Sequence, residues 1–122
     1  MSLQPAVRMR VIIGRGAAIG PGKADLLAAI VQYGSIAAAG RSMGMSYQRA
    51  WSLVDELNRM FREPLVSASR GGAQRGGATL TGTGRKVLER YRTIERTTAA
   101  CCRKELREIG RLARQELADI CE

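Results

Sequence analysis

The stretch from Ser35 to Asn58, SIAAAGRSMGMSYQRAWSLVDELN, constrains the fold of this chain more than any other. Its spacing is that of two short helices crossing closely through a tight turn, the second placed to lie in a DNA groove. Ala38, Ala39 and Gly40 are small where the first helix must approach the second. Gly44 falls at the turn, which needs a left-handed backbone that glycine adopts without steric penalty. Ser46 can then cap the second helix by accepting from a first-turn N–H. Met43, Met45, Ala50 and Leu53 supply apolar contacts to lock the pair. A chain built this way is expected to bind double-stranded DNA, with the residues just after Ser46 choosing the sequence.

The charge agrees in amount and in placement. The formal net charge is +9. Residues 1–96 hold 15 Lys/Arg against 6 Asp/Glu, and residues 97–122 hold 5 against 5, so the tail has no share in the surplus. That distribution is the electrostatic footprint of a phosphate-binding face. With 122 residues and 45% hydrophobic content the chain suits one packed domain carrying a helical extension. No apolar run approaches the ~20 residues that span a bilayer. The N-terminal apolar segment is too short for a signal peptide. A cytoplasmic location with no membrane partner is expected. The cysteines, Cys101, Cys102 and Cys121, are odd in number and make no disulfide framework, which fits a reducing compartment. With no histidine, no CxxC and no nucleophile–base arrangement, neither a metal site nor an enzymatic activity is expected.

Along the chain, residues 7–14 (VRMRVIIG) alternate weakly and read as a strand, followed by a glycine-rich turn to Lys23. From Ala24 to Tyr33, Leu26, Leu27, Ile30 and Val31 recur at helical spacing, and Gly34 stops the helix. The second helix of the central pair keeps Ala50, Leu53, Val54, Leu57, Met60 and Phe61 on one face and ends before Pro64. Two extended runs, Leu65 to Ser69 and Ala78 to Thr81, flank a glycine-rich tip and form a β-hairpin wing. Thr81 can cap a final helix running from about Gly82 to Ile120, with a stripe of Leu88, Tyr91, Cys102, Leu106, Ile109, Ala113, Leu117 and Ile120. A helix this long cannot bury its outer half against a small domain, so it is expected to pack on a second copy.

The architecture expected is therefore mainly α with a small β wing: a winged helix-turn-helix over residues 1–82 and a long C-terminal dimerisation helix over 83–122. The DNA-reading residues of the second helix are Ser46, Tyr47, Gln48, Arg49 and Ser52. Arg suits guanine O6/N7 and Gln suits adenine N6/N7, while Ser and Tyr hydroxyls suit phosphate. Asp55 and Glu56 would repel phosphate, so contacts should stop near Ser52. In the wing, Arg70, Gln74 and Arg75 would grip the adjacent minor groove or backbone. Trp51 is expected to pack beneath the wing, and Leu88, Tyr91, Cys102, Leu106, Ile109 and Leu117 to carry dimerisation. Cys101 and Cys102 fit helix-interface burial, with a redox role open beside Arg103 and Lys104.

The segment GRGAAIGPGKA fails as a phosphate loop, which would need Gly at 17 and Ser or Thr at 24, where Ala17 and Ala24 stand. It fails as a dinucleotide fingerprint too, with Ile19 at the third glycine position. Other readings of the whole chain remain: an interaction module whose basic face docks an acidic protein, and a non-specific DNA-packaging protein. The polar, weakly basic mix at Ser46–Ser52 argues against the second.

GPGKADLLAAIVQYGSI, GMSYQRAWSLVDELN and EPLVSASRGGAQRGGATLTGTGRKVL together resemble the N-terminal DNA-binding domain of the molybdate-responsive ModE regulators, over roughly residues 7–100. The related LysR-type regulators share the winged helix and long helix but less typically the SYxxAW element. The resemblance implies a homodimer on a palindromic operator, controlling molybdenum-related genes, with Ser46, Tyr47, Gln48, Arg49 and the wing residues at the reading positions. ModE regulators sense molybdate through a separate C-terminal domain. This chain reaches Glu122 without one. No cofactor is therefore expected in it, and the expectation is a short form that is effector-free or takes its signal from an unidentified effector or partner protein. A LysR-like regulator of another regulon is the alternative.

Overall fold

Ser35 and Ser46 each start a helix by the same device. The Ser35 hydroxyl accepts from the Ala38 N–H at 3.0 Å, and the Ser46 hydroxyl accepts from the Arg49 N–H at 3.0 Å. In the computed structural model, which describes residues 5–69, 77–114 and 116, these caps open Ile36–Ser42 (α2) and Tyr47–Met60 (α3). The preceding helix, Pro21–Tyr33 (α1), ends at Gly34, whose φ of 73° closes it with an N–H to the Ile30 carbonyl. Between α2 and α3, Gly44 has φ 72°, and the Met45 N–H returns to the Gly40 carbonyl at 3.0 Å. A Cβ on Gly40 would stand 2.9 Å from that of Ala50, so the absence of a side chain there lets the helices cross.

Packing divides the chain into two compact units: Arg10–Tyr91, and the segment up to Met9 with everything from Arg92 onward. The first holds the apolar core. Leu26, Leu27, Ile30, Val54, Leu57 and Leu65 are its fully buried large side chains, each contributing about 1.5–3 kcal/mol by leaving water. Val31, read as part of the α1 stripe, is instead exposed. Val11–Gly14 (β1) pairs antiparallel with Ala17–Ile19 (β2), and Val66–Ala68 (β3) with Ala78–Leu80 (β4) in the register Val66–Leu80, Ser67–Thr79, Ala68–Ala78. The N-terminal strand is thus shorter than residues 7–14, and the stretch read as a glycine-rich turn contains its partner strand.

The second pair of strands is the wing, and its root is fastened at both sides. The Ala78 N–H donates to the Gly34 carbonyl at 2.9 Å, tying β4 to the turn before α2. Asn58 Oδ1 accepts from the N–H groups of Leu65 (2.8 Å) and Val66 (3.0 Å), and its Nδ2 donates to the Val66 carbonyl at 3.3 Å, tying β3 to α3.

Thr81 opens Gly82–Cys101 (α4) as expected: its hydroxyl accepts from the Gly84 N–H at 3.0 Å and donates to the Pro64 carbonyl at 2.7 Å. A Cβ on Gly84 would lie 2.1 Å from the Leu65 carbonyl oxygen, so only glycine allows α4 to sit this close to the strand. The expected single helix to Ile120 is not formed. It breaks at Cys102 (φ −104°, ψ 13°), resumes as Arg103–Leu112 (α5), and stops where Ala113 turns extended. Thr97, Thr98, Cys101 and Cys102 are weak helix formers clustered at the break. Leu117 and Ile120 lie outside the described residues. Among the described residues no helix is long and apolar enough to cross a membrane.

Candidate nucleic-acid interface

α3 separates its two tasks by face. Ala50, Leu53, Val54 and Leu57 are buried against the core, while Tyr47, Gln48, Arg49 and Ser52 are exposed together on the first turns, next to exposed Ser46. The side chains that can donate to bases or phosphate therefore gather at the helix N-terminus, where unpaired backbone N–H groups and the helix dipole favour an anion. The capping geometry leaves the Ser46 hydroxyl proton free to donate outward while its oxygen accepts from Arg49. Tyr47 is 55% exposed and stands edge-on to Trp51, with ring centres 6.2 Å apart at 69°. Such an edge-to-face pair favours one placement of the Tyr47 ring. Trp51 itself is half-buried against the core.

The acidic half of α3 is partly neutralised. Glu56 Oε1 lies 3.2 Å from Lys23 Nζ, which also donates to the Ala18 carbonyl at 3.1 Å. Lys23, the residue that invited a phosphate-loop reading, thus binds β2 to α3. Asp55 stays exposed one turn beyond the reading residues.

The wing residues Arg70, Gln74 and Arg75 lie outside the described residues. What is described is the root that would present them, including the Ser69 N–H donating to the Gly77 carbonyl at 3.0 Å. Asn58, which organises that root, was not singled out from sequence. A signal was present: Asn58 falls four residues after Val54, on the apolar stripe, where a polar side chain needs partners.

The residues assigned to dimerisation divide. Tyr91 is 3% exposed within the core of the Arg10–Tyr91 unit, and Leu88 packs against the same core. Tyr91 is thus buried within the chain, while Leu88 is only half-buried. Cys102 and Leu106 are half-buried in the other unit, Ile109 is 58% exposed, and Leu112 beside it is 85% exposed.

Residues 23–85, from the start of α1 to the start of α4, match the family model described as bacterial regulatory helix-turn-helix protein, lysR family. The chain belongs to that family. It is similar to the molybdenum-pterin-binding protein MopB of Rhodobacter capsulatus, 45% identical over 80 residues that make up 66% of this chain and 30% of the relative. It is similar to the molybdenum transport protein ModE of Azotobacter vinelandii, 39% identical over 72% of this chain and 33% of the relative. The DNA-binding transcriptional dual regulator ModE of Escherichia coli K12 is 35% identical over 58% of this chain and 27% of its own length. The chain thus spans about a third of the length of these relatives. The matched stretch is the helix-turn-helix module of that family, and over it this chain is related to the ModE and Mop proteins.

Proposed function

We propose that the chain is a sequence-specific regulator of the ModE type, binding a palindromic operator as a homodimer and controlling molybdenum-related genes. The observation that carries this reading is the cluster of Ser46, Tyr47, Gln48, Arg49 and Ser52 exposed on the capped N-terminal turns of α3. Arg49 and Gln48 have the donor geometry for guanine and adenine edges, and Ser46 and Tyr47 fit the flanking phosphates. Arg70, Gln74 and Arg75 add sequence-tolerant grip from the wing. The molybdenum-related regulon is supported by two of the relatives, a molybdenum-pterin-binding protein and a molybdenum transport protein.

Dimerisation through the C-terminal segment is supported by Ile109 and Leu112, large apolar side chains exposed on α5, next to half-buried Leu106. Two-fold symmetry then sets half-sites about one helical turn, or a multiple of it, apart. The experiment is selection of genomic fragments by the purified protein near physiological salt, followed by sequencing. A palindromic motif upstream of molybdate-transport or molybdoenzyme genes is the expected result. A different palindrome would point to another regulon, and retention of every fragment or of none would refute sequence-specific recognition.

A further inference from the structure

Arg103 sits where helix energetics favours it least. Arg103 is the first residue of α5, at the end carrying the partial positive charge of the backbone N–H groups. Arg107 follows one turn later on the same side, adding like-charge repulsion. Cys102 contributes no side-chain cap to this helix start. Among the described residues neither guanidinium has an ion pair or hydrogen bond. Glu105 supplies an acid to the first turn but is not part of the surface that follows.

Both arginines border a cleft of about 390 Å³, lined among the described residues by Pro5, Ala99, Arg103, Leu106 and Arg107. That volume lies within the range of small-molecule sites. Its apolar side is Pro5, Ala99 and Leu106. The Pro5 ring is held close to α5 at Gly110, where a Cβ would come within 3.0 Å of the proline Cδ. No carboxylate is among these lining residues.

We propose that this cleft binds a small organic anion with an apolar body: a carboxylate, sulfonate or phosphate ester. Its head lies between the two guanidinium forks, which suit planar, charge-assisted hydrogen bonds. Its body covers Pro5, Ala99 and Leu106. The anion relieves the repulsion between the arginines. The site uses none of the residues on α3, so it stands or falls separately from DNA reading.

The test titrates anilinonaphthalene sulfonate into the full chain, followed by fluorescence, with phenylnaphthylamine as the uncharged counterpart. Saturable binding at one site per chain is expected, and weaker binding of the uncharged probe. R103A/R107A should bind the sulfonate about tenfold more weakly or worse, with helix content by circular dichroism unchanged. Arg111→Ala, outside the cleft, should bind like the parent. Equal affinity of parent and R103A/R107A overturns the proposal, as does equal affinity for the two probes. Absence of saturable binding to the parent, as when a second copy covers the cleft, overturns it as well.

Discussion

Replacing Asn58 by alanine removes a side chain that joins α3 to the wing through three hydrogen bonds. Two of its partners are backbone N–H groups, of Leu65 and Val66, both buried residues. A buried donor left without an acceptor costs about 1–3 kcal/mol. Asn58 is half-buried, so water reaches part of the gap and the lower end applies, ~1 kcal/mol for each N–H. The longer bond from Nδ2 adds about 0.5 kcal/mol. Against this, alanine is the better helix former by about 0.6 kcal/mol. The net expectation is a loss of about 2 kcal/mol, or roughly 8–16 °C in Tm for a unit of this size. Urea and thermal unfolding can both be followed by the fluorescence of Trp51, the sole tryptophan, which belongs to the same unit. A loss below about 0.5 kcal/mol, within the range of ordinary surface substitutions, would show that the wing root is held by something other than Asn58.

Gly84→Ala should cost about 3 kcal/mol or more in urea unfolding, because its Cβ would meet the Leu65 carbonyl at 2.1 Å and backbone cannot step aside cheaply. Gly44→Ala meets nothing within 4 Å and should cost only the left-handed backbone penalty, about 1–2 kcal/mol by the same measurement. In gel-shift titrations Arg49→Ala should lose about 1–3 kcal/mol of discrimination between operator and scrambled DNA. Arg75→Ala should instead weaken binding to all sequences about equally and reduce the salt slope by about 0.9. Equal operator and scrambled-DNA affinity in the parent protein would defeat the Arg49 expectation.

The parts of this molecule legible in its sequence are those fixed by local chemistry. Ser46 can cap and Gly44 can turn left-handed whatever surrounds them, and both do so. The apolar period of α3 likewise needs no tertiary context to read. What sequence missed depends on partners far along the chain. Ala17–Ile19 is too short and too glycine-flanked to announce itself, and becomes a strand by pairing with β1. Lys23 and Asn58 gain their roles only once β2 and β3 are brought to α3. The C-terminal helix stops short of its apolar pattern for the opposite reason. Its stripe continues past Cys102, but the weak helix formers around Cys102 give the backbone little local reason to continue unbroken.

The two fastenings at the wing root have a consequence for what the protein can measure. One bond joins β4 to the turn before α2, and a second set joins β3 to α3, so the described root of the wing is held to the helix pair at both strands. Under the DNA-binding reading proposed above, α3 and the root of the wing act as a caliper with a set gap along the duplex. On that proposal, an operator lengthened by a single base pair between the two elements presents every correct base and is still refused.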